Sequence, residues 1–206
     1  MRPAAEPTLY DQLEALPEGL IIGEILNGQL HTQPRPAGPH ARVASRVDRT
    51  IGRSYDDGID GPGGWWIFVE PEVHFVRDRE VAVPDLAGWR REHMPIPPQD
   101  HRFETTPEWV CEILSPSTAS KDREIKLPLY ARYGVLSAWL IDPSAHTLEA
   151  LGRLAGHRAL HRHRPGGAAS VRGRHSGSQW IVAADARHLW RSLSFSSPPS
   201  SSPWPI

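Results

Sequence analysis

Between Leu20 and Leu30 two apolar runs, Leu20-Ile21-Ile22 and Ile25-Leu26, lead into Asn27-Gly28 and then Leu30. Asn-Gly flanked by apolar residues is a strong hairpin signal, so this stretch predicts a strand, a turn and a second strand. Ahead of it, Tyr10, Leu13 and Leu16 at spacings of three predict a short helix over residues 8–16, broken by Pro17-Glu18-Gly19. Pro34, Pro36 and Pro39 predict a loop. From His40 to about Tyr55 the apolar positions Val43, Val47 and Ile51 fall four apart, with Arg42, Arg46, Arg49 and Arg53 on other faces. That is an amphipathic helix with one core-facing stripe. Gly58 to Gly64 reads as a glycine-rich turn.

Further on the period changes to two. Val69, Pro71, Val73 and Phe75 alternate with Glu70, Glu72 and His74, which predicts one strand from Trp65 to Phe75. After a turn at Arg77-Asp78-Arg79, a strand over Val81 to Ala87 is interrupted at Pro84. Residues 90–107 hold four prolines and predict a surface loop. Trp109 to Leu114 is apolar on both alternations except at Glu112, the mark of a central strand. Thr118 to Tyr133 predicts a helix that Pro128 either kinks or restarts. Ser137 to Ile141 and Thr147 to Leu151 predict two more strands joined by a short turn. Beyond Gly152 the pattern degrades, and 153–178 is rich in Arg, His, Gly, Ala and Ser. The tail 191–206 is Ser- and Pro-rich and predicts disorder. Strands and helices in this order predict an α/β domain over 7–190, with 153–178 atypical.

Composition narrows the class. A chain of 206 residues with 39% hydrophobic and 23% charged residues is neither disordered overall nor membrane-spanning, and no run approaches the ~18 apolar residues of a transmembrane helix. The N-terminus carries acids and lacks an apolar core, so no secretory leader is expected. Cys111 is the single cysteine, which excludes an intrachain disulfide and fits a cytoplasmic location. Charge is unevenly spread. Residues 1–150 hold 15 basic and 23 acidic side chains, while 151–206 hold 8 arginines and one aspartate. A basic end suits nucleic acid or an acidic partner, and compositional drift explains it equally well.

Three acids lie where acids are costly. Glu24 sits among Ile21, Ile22, Ile25 and Leu26, Asp85 follows Val83-Pro84, and Glu112 lies inside the central strand. A buried carboxylate costs several kcal/mol unless a cation, a metal or hydrogen bonds compensate. Three on separate elements suggest one convergent site, and oxygen ligands of this kind suit Mg²⁺. Lys126 follows on the next helix with Asp122 four residues before it, and the chain has only two lysines against 21 arginines. The plain alternatives are a solvent-facing Glu24, a turn-capping Asp85, and a surface Asp122–Lys126 pair worth about 0.3–0.5 kcal/mol.

These stretches resemble the Uma family of endonucleases. The similarity rests on Glu24-Ile-Leu-Asn-Gly-Gln-Leu30, His40 opening a helix, Val83-Pro-Asp-Leu86, and Glu112-Ile-Leu-Ser-Pro-Ser-Thr118. It continues through Asp122, Lys126, Tyr130, Gly134-Val135 and Ala138-Trp-Leu-Ile-Asp-Pro143, covering about residues 7–152. The resemblance implies a restriction-endonuclease-like core, a central mixed β-sheet flanked by α-helices, and metal-dependent hydrolysis of phosphodiester bonds in DNA. It implies that Asp85 and Glu112 are the two acids of the PD-(D/E)XK pattern and hold Mg²⁺ (or Mn²⁺), with Glu24 contributing. The lysine position of that pattern is Leu114 here, and Lys126 is similar to a lysine that has moved to the following helix. His40, Asp122 and Tyr130 would support the site. Cutting both strands would favour a homodimer.

Two other readings compete. A catalytically silent member of the same fold would bind nucleic acid through its Arg-rich C-terminal part. His157, His161 and His163 have spacings that can chelate a transition metal, although scattered surface histidines explain them better. The abrupt change at 153–178 also fits a frame-shifted or degenerated segment. Gly58 to Gly64 lacks the Lys-Ser/Thr ending of a phosphate-binding loop. Cys111 reads as a core residue, and Trp65-Trp66 as strand residues on opposite faces rather than a base-stacking pair.

Overall fold

The computed structural model describes residues 6–36 and 38–152, and the backbone of 159–163. Helix α1 (Leu9–Glu14) is followed by the predicted hairpin, β1 (Ile21–Leu26) and β2 (Gln29–Pro34). Thr8 and Asp11 form a reciprocal capping box at the start of α1. Asn27 and Gly28 both take positive φ, as the two-residue turn requires. Pro34, expected in a loop, ends β2 opposite Ile21. Helix α2 (Gly38–Ile51) takes Pro39 into its first turn, where no intrahelical N–H is needed, and a π-helical turn over Gly52–Asp56 prolongs it.

The stretch expected as one strand is two. Strand β3 (Trp65–Val69) ends at Glu70, whose φ is +48°, and Pro71 follows before β4 (Glu72–Val76). On the return, β5 (Glu80–Ala82) and β6 (Leu86–Arg90) are separated by Val83-Pro84-Asp85. Since β4 pairs with β5 and β3 with β6, all antiparallel, the four pieces are one long hairpin bent across its middle. The Glu70 N–H bonds the Asp85 carbonyl at 3.0 Å and ties the two bends together. One half of the hairpin joins a sheet of order β2-β1-β5-β4-β7 (β7, Arg102–Phe103), and the other a sheet of order β11-β10-β9-β8-β6-β3 (β8, Trp109–Ile113; β9, Ser137–Asp142; β10, Thr147–Gly152; β11, Ala159–His163). The period-two pattern continued through the bend and so concealed it.

The 90–107 region contains β7 (Arg102–Phe103), which pairs parallel with β4, and it buries Met94 and Phe103. Strand β8 (Trp109–Ile113) is buried throughout, between β6 and the parallel β9 (Ser137–Asp142). The antiparallel β10 (Thr147–Gly152) follows β9. Beyond Gly152 the described residues form a strand, β11 (Ala159–His163), paired with β10. The predicted domain end at 190, the tail 191–206, His157 and the remainder of 153–178 lie outside the described residues.

Alternation along β8 divides the core. Trp109, Cys111 and Ile113 pack with Val43, Val47 and Ile51 of α2 on one face. Val110 packs on the other with Leu129 and Tyr130. Those two belong to α4 (Leu127–Arg132), which continues from α3 (Ala119–Lys121) through a π-helical turn, Asp122–Lys126. Pro128 stands in the first turn of α4, one of the two roles expected of it. The main sheet is therefore mixed and carries helices on both faces. Trp65 is core while Trp66 lies partly buried on the opposite side, with its Nε1–H donating to the Met94 carbonyl. Among the described residues no helix is long and apolar enough to cross a membrane.

Trp109 is fully buried and meets Trp139 edge-on at 5.4 Å between ring centres. Trp109→Ala is expected to cost about 3–5 kcal/mol, read as a lowered urea midpoint.

Candidate active site

The two sheets meet where the bent hairpin passes between β1 and β8, and the acids singled out in the sequence converge there. Glu24 lies mid-way along β1. Its neighbour Gly23 faces the other way, against α1, where an added Cβ would stand 2.4 Å from Leu16 Cδ1. This close packing of α1 turns Glu24 inward, and its carboxylate is fully buried. Oε1 accepts the Val83 N–H at 2.9 Å and lies 2.8 Å from Lys126 Nζ. Oε2 accepts Lys121 Nζ, which also donates to Gln33 Oε1 at 2.6 Å. Burial works against the charge on Glu24, but the two ammonium groups outweigh it and hold the pKa below the usual carboxylate value.

Asp85 occupies the bend before β6. Because β6 pairs with β8 only from Leu86 opposite Cys111, the Ile113 N–H lies past the end of that ladder. Asp85 Oδ2 accepts it at 2.6 Å, and Oδ1 lies 3.2 Å from His40 Nε2. Burial alone would lower the His40 pKa, but the hydrogen bond and charge of Asp85 raise it. His40 therefore sits in the first turn of α2 as the partner of Asp85.

Glu112 points to the α3–α4 side of β8. Its Oε1 accepts the Tyr130 hydroxyl and lies 2.9 Å from Lys126 Nζ. No donor among the described residues engages Oε2. Burial raises the Glu112 pKa well above its ordinary value, Lys126 opposes this, and the charges of Asp122, Asp85 and Glu24 add to it. Asp122 is itself buried and raised by burial, partly offset by Lys126 and by a bond to Thr118. Burial likewise lifts the Tyr130 phenol, with Glu112 reinforcing the shift. Lys126, 1% exposed, donates an N–H to the Val83 carbonyl at 3.0 Å. Burial alone would lower its pKa, but Glu112 and Glu24 drive it well above the ordinary lysine value.

All seven residues taken from the sequence thus come together. The alternatives of a water-facing Glu24 and a surface Asp122–Lys126 pair are excluded, because all three side chains are buried. Sequence reading missed Lys121 and Gln33. The available signal was lysine scarcity, since the only two lysines of the chain both bind Glu24. In an α-helix, residues five apart lie about 140° apart around the axis. A π turn closes i→i+5 bonds, here including Leu127 N–H to the Asp122 carbonyl, and brings such residues round toward one face.

The donor set suits a hard divalent cation. Four carboxylates, Glu24, Asp85, Glu112 and Asp122, share two lysines and one histidine, and the Glu112 oxygen without a protein donor belongs to the acid most crowded by like charge. Among the described residues no group of three or more His, Cys, Asp or Glu side chains is placed to hold a metal ion, so any cation here would rest on one or two carboxylates. Asp85 and Glu112 match the habit of Mg²⁺, which takes one or two carboxylates and completes its shell with water and phosphate oxygens. A separate groove of about 490 Å³ runs between α1 and the Glu70-Pro71 bend, and none of the seven side chains lines it.

No curated protein matches the chain. A crystal structure of a "putative nuclease" of the DUF820 group from Anabaena variabilis ATCC 29413 is similar over 90% of this chain and 98% of that one. The pair shares 21% identity and a TM-score of 0.63, a likeness of fold. A family model, Uma2, described as "putative restriction endonuclease", matches residues 10–177 and so continues past Gly152, where the composition changes. With that match over most of its length, and with the acid cluster at the junction of its two sheets, this chain belongs to the Uma2 restriction-endonuclease family.

Proposed function

We propose that this chain is a metal-dependent endonuclease that hydrolyses phosphodiester bonds of DNA, with Asp85 and Glu112 holding Mg²⁺ or, in its place, Mn²⁺. The observation that carries the reading is the buried Glu112 carboxylate. It is crowded by three other acids and held by Tyr130 and Lys126 on Oε1 alone, with Oε2 left for a cation. Magnesium bound there supplies an acidified water and polarises a phosphoryl oxygen.

The side chains of the protein do the positioning. His40 and the Ile113 N–H fix both oxygens of Asp85. Tyr130 fixes one oxygen of Glu112 and thereby directs the other. Lys126 lies within 2.9 Å of Glu112 and carries a fixed positive charge beside the reacting phosphate, where it offsets the negative charge that develops during attack. In this structure its ammonium donates to the Val83 carbonyl and is ion-paired with Glu24 and Glu112 while almost fully buried, so it acts through charge. Glu24, expected among the metal ligands, serves here to hold the lysines, its acceptors being directed at Val83, Lys126 and Lys121. In the reaction a water oxygen bonds to phosphorus while giving up a proton to solvent, the P–O ester bond opposite breaks, and the departing oxygen takes a proton from solvent and leaves as a hydroxyl. Acting as a homodimer would place one site on each strand, and the cytoplasm is the setting in which we place the reaction.

Purified protein is expected to nick supercoiled plasmid with Mg²⁺ or Mn²⁺ and to lose this activity in EDTA and in Glu112→Ala. Intact cutting in either control overturns the metal assignment, and no cutting by folded wild type shifts the reading to a silent nucleic-acid binder. Calorimetry should show loss of Mg²⁺ binding in the Asp85→Ala, Glu112→Ala protein. Lys126→Met should reduce kcat by about 10²–10³-fold. His40→Ala, which removes only the support of Asp85, should cost about 10–100-fold in metal affinity or activity.

A further inference from the structure

We propose that Lys121 is the lysine that touches the substrate, binding a phosphate of the nucleic-acid strand beside the acid cluster, while Lys126 acts from within; this rests on the nuclease reading. A lysine ammonium has three N–H donors. Lys126 donates to the Val83 carbonyl at 3.0 Å, its ammonium is ion-paired with Glu24 and Glu112 at 2.8 and 2.9 Å, and its side chain is 1% exposed. Lys121 spends two, on Glu24 Oε2 and Gln33 Oε1, and its side chain is 15% exposed. One donor of Lys121 is therefore available, at the edge of the same carboxylate that Lys126 grips from inside.

The placement is specific. Lys121 ends α3, and the π turn after it brings Lys121 and Lys126 onto opposite oxygens of Glu24. Glu24 and Gln33 come from adjacent strands, so the lysine stem is held between two fixed acceptors. The next cation along the chain, Arg123, is instead committed to Glu149 through both guanidinium nitrogens, at 2.9 and 3.1 Å. A mobile surface lysine would lose considerable side-chain freedom on gripping a phosphate. Lys121 has already lost it on folding, so little further ordering cost opposes the contact. The negative charge of Glu24 is shared with Lys126 and the Val83 N–H, which leaves the Lys121 ammonium attractive to an anion.

The test is the salt dependence of DNA-duplex binding by the full chain, with Ca²⁺ in place of Mg²⁺ and intact substrate confirmed on gels. Each phosphate contact contributes about 0.9 to the slope of log K against log salt on duplex DNA. Lys121→Met should flatten the slope by about that amount and Lys121→Arg should retain it; the Met variant leaves Glu24 Oε2 without its ammonium and should lower the urea midpoint, so slopes are compared under conditions where circular dichroism shows each variant folded. Lys121→Gln, which keeps a donor toward Glu24 but removes the charge, should flatten it equally and stands in if the Met variant folds poorly. A purely structural role would not move the slope. Binding with the full wild-type slope in the Met or Gln variant overturns the role of Lys121 and leaves the nuclease reading standing. A wild-type chain that binds no nucleic acid overturns both.

Discussion

The structure turns on one buried ammonium group. Lys126 joins three segments that share no ladder with its own helix: Glu24 on β1, the Val83 carbonyl at the hairpin bend, and Glu112 on β8. Burying such a charge costs several kcal/mol, and it persists only because its partners are themselves charged or polar and well placed. Each partner depends on it in return. Without Lys126, Glu112 would keep only the Tyr130 hydroxyl among its donors, with three acids around it. Removing one member of such a set typically costs about 3–5 kcal/mol. The contact that seals the junction of the two sheets thus also sets the charge balance of the site.

Around this point the bent hairpin has a second task. A straight β3–β4/β5–β6 ribbon would place Asp85 within a regular ladder, its side chain on one face of a single sheet. The break at Val83-Pro84-Asp85 releases the backbone from pairing, and the Asp85 side chain takes up the Ile113 N–H left beyond the β6–β8 ladder. The acid is fixed by the strand that carries the other acid. His40 reaches Asp85 because the apolar stripe of α2 seats that helix on the opposite face of β8 from Glu112. Three packing decisions, the seating of α2, the bend, and the docking of α4, therefore meet at two carboxylates.

Much of this was legible residue by residue. The apolar flanks of Glu24 and Glu112 showed that these acids required compensation, and the Asn27-Gly28 turn and the all-apolar β8 placed them on strands. Other features were not legible, for identifiable reasons. The 65–75 stretch keeps its alternation through Glu70-Pro71, so only pairing with two different sheets shows that it is two strands. His74 sits at a polar position of that pattern yet is buried, since Glu72 and the Asp78 N–H satisfy both ring nitrogens. Lys121 carries no local signal beyond the scarcity of lysine, and its partners Glu24 and Gln33 lie 97 and 88 positions away.

The sequence alone determined the element order, the hairpin at Asn27-Gly28, the central strand around Glu112, the amphipathic α2 and the set of residues whose burial would demand chemistry. These follow from local rules, namely periodicity, turn propensity and the cost of burying a charge, which act over a few residues. Tertiary structure alone decided which sheet each strand joins, which oxygen of each acid its protein partners engage, and that the two lysines take different oxygens of Glu24. Those outcomes depend on hydrogen bonds and ion pairs between residues many positions apart, whose energies arise only when packing has removed water from both partners.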